Sequence, residues 1–249
     1  MSSLGNAIRL LELLAAAQPQ VRVTQAAREL NLPKSTVSRL LKEMCARGLL
    51  ENDPLGGFRC GPELFRLGSL YRARLPAETR IDEALSELVH RHRATAYVGV
   101  LRGSDLLVLR RHESSFPVRF IQEPGTSIPA FATAVGKALL ARLPNKEIIG
   151  SLPKRLKAEA RGTDMTRNDL LGELAIIRRR RYAELDDRVL GIAAIGVSVQ
   201  VAPGRDLGFA LCVSRENTTQ SQRDKIAAEL CAVATRIGVL CHDPVWENG

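Results

Sequence analysis

Hydroxyl and basic side chains are concentrated between residues 34 and 42 of the sequence. If this stretch is a helix of about 100° per residue, its polar side chains share one face: Ser35, Ser38, Arg39 and Lys42. The opposite face is apolar and consists of Val37, Leu40, Leu41 and Met44. Hydroxyl, guanidinium and ammonium groups are the donors that contact phosphates and base edges. The pattern therefore favours a helix that enters the major groove of DNA, with its N-terminal half towards the bases.

Two shorter helices and a turn are predicted to position this helix. Apolar residues at helical spacing predict a first helix over Leu4–Ala17 and a second that starts at Thr24 as its N-cap and ends near Leu30. Asn31 suits the left-handed position of a turn, and Pro33 suits the first helical residue after it. Two helices joined in this way form a helix-turn-helix.

The hydrophobic period changes after Gly48. Leu49–Glu51 and Phe58–Cys60 predict two short strands around a turn at 52–57. A hairpin that follows a recognition helix is a wing, and its Arg59 is placed to reach a phosphate or the minor groove. The alternative is a protein-interaction module of the same fold. The hydroxyl and basic side chains on the exposed helix face favour DNA over that alternative.

The charge distribution agrees with a polyanionic partner. The chain has 249 residues and a formal net charge of +9. Residues 1–75 carry eleven basic and six acidic side chains, so the positive charge is densest in the first third of the chain. Hydrophobic residues make up 45% of the sequence, which excludes disorder over most of it, and the length allows one large domain or two small ones.

Catalytic and metal-binding constellations are absent from the sequence. There is no Ser/His/Asp set and no GxGxxG, and Gly136-Lys137 lacks the other residues of a phosphate loop. The five cysteines have no CxxC spacing, and His90 and His92 would point to different faces of a helix. We therefore predict that the protein is not an enzyme, has no catalytic residues and binds neither a metal nor a cofactor.

Membrane association and export are also not expected. No apolar run approaches the roughly 20 residues that span a bilayer. The first residues, Met1–Asn6, do not combine a basic region with an apolar core. The expected location is the cytoplasm.

The residues described so far resemble the winged helix-turn-helix of IclR-type bacterial transcriptional regulators. Leu32–Leu41 (LPKSTVSRLL) is the most characteristic part, and Gly57–Leu64 resembles the family's wing and its exit into a linker helix. Ile128–Ala141 looks like a second family signature, and two further segments complete the set: Ile176–Ala183 and Gly191–Val197. The similarity covers nearly the whole chain in the right order.

The predicted fold class is α+β. The N-terminal winged helix-turn-helix takes residues 1–62, a linker helix takes 63–76, and an effector-binding and oligomerisation domain takes 77–249. Separate groups of strands and helices predict an antiparallel sheet in the last domain, and the resemblance implies a GAF-like sheet flanked by helices. Its expected elements are strands at 95–102, 106–112, 118–122, 192–199 and 207–213, and helices at 168–181 and 219–239.

The resemblance also implies a small-molecule pocket. Small residues at 131–136 open a helix whose free N–H groups suit a carboxylate, or they simply let the helix pack closely on the sheet. Residues that match family pocket positions are Ala134, Val135, Asp186 (or its neighbour Asp187), Ala194, Cys212 and Ser214. Many relatives have Cys at the position of Ala194 and Ser on the strand of Cys212. The pocket is therefore expected to be less polar and to take a larger or more apolar acid, such as an aromatic acid.

The functional hypothesis is a regulator whose homodimer, or dimer of dimers, binds double-stranded operator DNA and responds to a small organic acid. The predicted DNA-binding residues are Thr24, Lys34, Ser35, Thr36, Ser38, Arg39, Lys42 and Arg59. Two rivals remain open: an enzyme with a nucleic-acid anchor, and a DNA-binding protein without an effector. The regulator is expected to repress or to activate catabolic genes.

Overall fold

Two units make up the computed structural model, one of residues 1–75 and one of residues 76–249. The structure describes residues 2–17, 20–54, 56–72, 76–113, 122–158 and 163–247. The predicted strand at 118–122 lies outside these residues except for Gln122.

The first unit is a winged helix-turn-helix followed by a single helix. Its elements are α1 Ser3–Ala17, α2 Val23–Leu30, α3 Lys34–Ala46, β1 Leu50–Asn52, β2 Phe58–Cys60 and α4 Pro62–Arg72. Its core joins one face of each of the first three helices to the wing: Leu10, Leu14, Val21, Ala26, Ala27, Leu30, Val37, Leu41, Met44 and Leu50. The predicted amphipathic pattern of α3 is confirmed, since Val37, Leu41 and Met44 are buried.

The turn between α2 and α3 has the predicted conformation, but the start of α2 differs from the prediction. Asn31 is left-handed, with φ 53° and ψ 50°, and α3 begins immediately after Pro33. Thr24 is not the N-cap, because α2 already begins at Val23, and the capping position belongs to Arg22, whose side chain makes no capping hydrogen bond. The backbone pairing of Val21 with Phe58 of β2 fixes the chain immediately before α2.

The second unit is an antiparallel sheet with helices on both faces. Its helices are α5 Pro76–His92, α6 Ala134–Leu140, α7 Asn145–Ser151, α8 Arg167–Arg180, α9 Gln220–Cys241 and α10 Pro244–Glu247. Its strands are β3 Thr95–Arg102, β4 Asp105–Glu113, β5 Ser127–Pro129, β6 Arg155–Ala158, β7 Thr163–Thr166, β8 Ala183–Asp187, β9 Ile192–Ala202 and β10 Arg205–Ser214. The main sheet has the order β5-β4-β3-β10-β9-β8, and β6 pairs with β7 separately. The α+β fold class is confirmed.

Alternate residues of β9 face different helices. Gly196 and Ser198 face α6, and the Ser198 hydroxyl donates to the carbonyl of Ala138 at 2.9 Å. Val197, which lies between them, points to the other side of the sheet, where α9 packs beside α5. Successive side chains of a strand point to opposite faces, so α6 on one side and α5 with α9 on the other enclose a two-sided core.

The end of β9 extends beyond its edge neighbour β8, and the C-terminal turn completes its hydrogen bonds. Ser198 and Gln200 lie past the last β8 pair, which joins Ala183 to Gly196. The carboxylate of Asp243 accepts from the backbone N–H of Gln200 at 2.8 Å, and the indole N–H of Trp246 donates to the Ser198 carbonyl at 2.8 Å. Side chains thus satisfy the strand edge where β8 has ended.

Sequence periodicity placed most of the larger elements within two or three residues. The helix expected at 168–181 is α8, which buries Leu170, Leu174 and Ile177. The short strand β8 and the β6–β7 hairpin were not predicted. Within the described residues, no helix combines the length and apolar character that crossing a membrane requires.

Candidate functional sites

The exposed face of α3 carries the predicted DNA contacts. Lys34, Ser35, Arg39 and Lys42 are exposed, whereas Thr36 and Ser38 are half-buried at the edges of the face. Within the described ranges, Arg39 and Lys42 make no ion pair. No intramolecular ion pair therefore has to break before these two side chains contact phosphates or bases.

Arg59 of the wing is held by acids of the same hairpin. Its Nε donates to a carboxylate oxygen of Glu51 at 2.7 Å, and its Nη1 lies 3.9 Å from a carboxylate oxygen of Asp53. The side chain is 46% exposed, and exposed ion pairs contribute only about 0–1 kcal/mol. Exchange of Glu51 for a DNA phosphate therefore costs little.

The beginning of α2 adds one basic residue that the sequence analysis missed. Thr24 is exposed in the first turn of α2, and Arg22 is exposed next to it. Arg22 also lies beside the wing, since a Cβ on Gly57 would be 3.5 Å from its Cγ. Its position immediately before a helix N-terminus was a usable signal, because cations and helix N–H groups there both attract phosphates.

A small cavity lies between α6 and the main sheet. Its volume is about 40 Å³, and four of the six sequence-predicted pocket residues line it: Ala134, Val135, Ala194 and Cys212. The remaining wall is mostly apolar and consists of Leu106, Val108, Ile128, Leu185, Ile192 and Ala210, with Tyr97, Gln122 and Thr133 as further polar residues. Among the residues that the structure describes, no charged side chain lines it.

Small residues let α6 lie very close to the sheet and to the preceding turn. A Cβ on Gly136 would be 2.2 Å from the carbonyl oxygen of Ala130, and one on Gly208 would be 2.7 Å from the Val135 side chain. The Thr133 hydroxyl caps α6 by accepting from the N–H of Gly136 at 2.8 Å. Close packing, the alternative open at the sequence level, therefore accounts for the small residues of this segment.

Asp186 and Ser214 do not line the cavity. Asp186 pairs with Ala193 in the sheet, so its side chain lies on the α9 side, while its neighbour Leu185 pairs with Ala194 and faces the cavity. The Asp186 carboxylate accepts from Arg215 and, at 3.1 Å, from Arg223 of α9. Burial raises the pKa of Asp186, but the hydrogen bonds from the two arginines outweigh it, and the net pKa is lowered. Asp187 is buried and accepts from the N–H of Leu190 at 2.9 Å.

The cavity also contains two polar residues, Tyr97 and Gln122, that were not predicted from the sequence. The backbone N–H of Gln122 donates to the Tyr97 hydroxyl at 3.2 Å. Burial raises the pKa of Tyr97, so the phenol stays protonated and can donate to an anion. The usable signal was one tyrosine in a strand of small apolar residues at 95–100. Across the described residues, no cluster of His, Cys, Asp and Glu side chains is arranged to hold a metal ion.

Comparison with known families and proteins supports both units. The IclR helix-turn-helix domain matches residues 3–54, and the bacterial transcriptional regulator IclR C-terminal domain matches residues 71–239. The HTH-type transcriptional regulator BhcR of Paracoccus denitrificans is 32% identical over 202 residues, which are 79% of this chain and 71% of that protein.

Solved structures show the same fold. A transcriptional regulator of this family from Silicibacter sp. TM1040 has a TM-score of 0.86 and 22% identity, with 99% of this chain and all of that chain covered. An IclR homologue from Microbacterium hydrocarbonoxydans, crystallised with 4-hydroxybenzoate, has a TM-score of 0.74 and 21% identity, with 95% and 99% covered. The family matches, which together span most of the chain, show that this protein belongs to the IclR family of bacterial transcriptional regulators and is not an enzyme.

Proposed function

We propose that α3 docks in the major groove of operator DNA and that a ligand in the α6 cavity modulates this binding. The exposed cationic and hydroxyl face of α3, set against its buried apolar face, is the observation that supports the proposal most directly. Arg39 and Lys42 contact bases or phosphates, Ser35 and Thr36 fix phosphates, and Arg59 contacts the backbone or minor groove. Lys34, Ser38 and Thr24 complete the interface. The protein acts in the cytoplasm on genes of a catabolic pathway.

A homodimer, alone or paired into a dimer of dimers, presents two copies of α3 to a roughly palindromic operator. Apolar side chains on α4 support this assembly, because Phe65 is 80% exposed and Leu67, Leu70 and Tyr71 are also exposed. Leu4 of α1 is 71% exposed. In this proposal residues 1–62 bind DNA, residues 63–76 link the units, and residues 77–249 bind the effector and contribute to assembly.

The proposed effector is an apolar organic acid, with monocyclic aromatic acids as the leading class. The lining of the cavity supports this class, since apolar side chains surround the few donors, Tyr97 and Thr133 among them. The family member crystallised with 4-hydroxybenzoate supports it as well. At about 40 Å³ the cavity has room for little more than one or two waters. Binding of an aromatic acid therefore requires α6 or the adjoining strands to move.

That movement gives the effector its influence on DNA binding. A ligand shifts an equilibrium only by its difference in affinity between two states. An acid that binds only the enlarged cavity favours the conformation of the second unit in which the cavity is open. The operator affinity then changes because the two conformations hold the DNA-binding units of the dimer differently.

Calorimetry with a panel of acids, combined with operator binding, tests this proposal. We expect benzoate and 4-hydroxybenzoate to bind and to change operator affinity, and glyoxylate and pyruvate to bind much more weakly. Binding of only two- or three-carbon acids would contradict the assigned ligand class. Operator binding that no acid changes, together with no thermal stabilisation by any of them, would identify a regulator without an effector.

A further inference from the structure

A second and larger cavity lies at the other end of α6. Its volume is about 610 Å³, and it opens between the C-terminal end of α6, helix α8 and the C-terminal turn. Ala138 and Ala141 of α6 line it, whereas Ala134 and Val135 of the same helix line the smaller cavity. The two spaces therefore share a helix but no lining residue.

Three arginines contribute to the lining of this cavity. Arg142, Arg178 and Arg181 line it, and no acidic residue among those that the structure describes does. Arg178 has a structural role, since it donates to the carbonyls of Ala141 and Leu143 at 2.8 and 2.9 Å. Arg181 makes no ion pair within the described part of the chain, and its guanidinium lies 5.7 Å from the ring centre of Trp246.

Arg142 is held from behind by two acids and has one unused donor. Its Nε lies 3.0 Å from Asp206, and its Nη2 lies 2.8 Å from the fully buried Asp243. Only 10% of its side chain is exposed, and its buried Nη1 has no hydrogen-bond partner among the described residues. A buried unpaired donor of this kind normally indicates a water or an anion at that point.

Apolar groups complete the wall. Trp246, Ile177, Leu143 and Val245 line the cavity with the two alanines. Trp246 is itself fixed, because its indole N–H donates to Ser198 and its side chain packs on Gly238 of α9. A volume of a few hundred Å³, an apolar wall and a few convergent donors are the ordinary features of a small-molecule site.

We propose that this cavity is a second ligand site, for an organic anion with an apolar body. The anionic group pairs with Arg181 and accepts a hydrogen bond from Arg142. The apolar body covers Ile177 and the face of Trp246. Arginine binds carboxylate and phosphate oxygens through paired donors, so carboxylates and phosphate monoesters are both candidate anionic groups.

Trp246 is the only tryptophan in the chain, and its fluorescence reports on this cavity in the full-length protein. We would titrate benzoate, octanoate, phenyl phosphate, inorganic phosphate and the neutral benzyl alcohol. We expect a saturable emission change with at least one of the three organic anions and none with benzyl alcohol. The ratio of carboxylate to phosphate affinity then distinguishes the two anionic groups. The proposal would be overturned if no organic anion gave a saturable change. It would also be overturned if inorganic phosphate bound with the same affinity as the organic anions.

Four variants localise the signal. Arg181→Gln should weaken binding about tenfold or more, as loss of a charged hydrogen-bond partner does, and Arg181→Lys should retain part of it. Arg179→Gln, an exposed neighbour outside the cavity, should bind as the wild type does. Ala194→Leu, which fills the smaller cavity, should leave the Trp246 signal in place even if that cavity binds no effector. Loss of the signal in Ala194→Leu with unchanged binding in Arg181→Gln would assign it to the smaller cavity instead.

Discussion

Gly196 of β9 lies directly against Ala134 of α6, so that a Cβ on the glycine would be 2.8 Å from the Ala134 carbonyl carbon. This contact sets the height of α6 above the sheet. Gly208 of β10 makes a similar approach to Leu139, at 2.9 Å. The size of the smaller cavity is therefore determined by two glycines that do not line it.

Replacement of Gly196 by alanine should push α6 away from the sheet. The added methyl group meets backbone atoms, which do not rotate away, and overpacking of this kind costs about 1–3 kcal/mol. Urea unfolding should show the loss in stability. Gly150→Ala is the control, because nothing lies within 4 Å of its Cβ position and alanine in a helix is neutral or favourable. Equal stability of the two variants would show that the α6–β9 contact is less tight than described.

Arg39→Ala should weaken operator binding about 5- to 150-fold for each contact that is lost. Loss of one guanidinium contact to a base costs about 1–3 kcal/mol, and Arg39 is exposed on α3 and makes no ion pair with any residue that the structure describes. Mobility-shift titration measures the affinity, and light scattering and calorimetry should show unchanged assembly and ligand binding. Arg236→Ala, an exposed arginine of α9, controls for lost charge. Wild-type operator affinity in Arg39→Ala would contradict docking by this face.

Cys212→Ser should shift ligand preference from aromatic acids to small polar ones. Cys212 is buried in the lining of the smaller cavity, and covering a serine hydroxyl there with the apolar body of an aromatic acid costs about 1–3 kcal/mol. A glyoxylate-sized acid leaves room for a water that can hydrogen-bond to the serine hydroxyl, so the cost for such an acid is smaller. Calorimetry with benzoate and glyoxylate measures the ratio, and Cys60→Ser, exposed on the wing, is the control. An unchanged ratio would remove Cys212 from the specificity-determining residues.

Asp186→Asn should reduce stability near neutral pH and leave ligand affinity unchanged. Although burial raises the pKa of Asp186, hydrogen bonds from Arg215 and Arg223 lower it overall. The ionised carboxylate therefore stabilises the folded state above its unfolded pKa of about 3.9, and this contribution is lost as the pH falls through the lower folded pKa. We expect a difference of up to about 1 kcal/mol at pH 7 that narrows on acidification. A large loss of effector affinity in this variant would instead place Asp186 in the ligand site.

Local sequence patterns predicted the helices well because their signals lie within one element. The buried face of α3 and the left-handed Asn31 follow from helical spacing and turn chemistry alone. Strand β8 was not predicted, because it lies at the sheet edge and most of its residues are acidic. Its sequence therefore lacks the apolar alternation that indicates a strand.

The cavity residues depended on strand register, which no local pattern encodes. The family resemblance indicated Ala134, Val135, Ala194 and Cys212, and these four meet in one cavity. In β8 the residue that faces the cavity is Leu185, one position before the predicted Asp186. A shift of one residue reverses the face of a strand, so an uncertainty of one position in the spacing was enough to select the wrong side.

The place of β3 beside β10 in the middle of the main sheet has a consequence for folding. Val98 pairs with Phe209, so the centre of the sheet forms only after most of the chain has been synthesised. Contacts between residues so distant in sequence slow folding, whereas the first unit is built from neighbouring elements and is made first. We expect that in the nascent chain the DNA-binding unit is already folded before β10 has been synthesised and can pair with β3. Through that interval, the apolar strands at the centre of the sheet are the segment most exposed to aggregation.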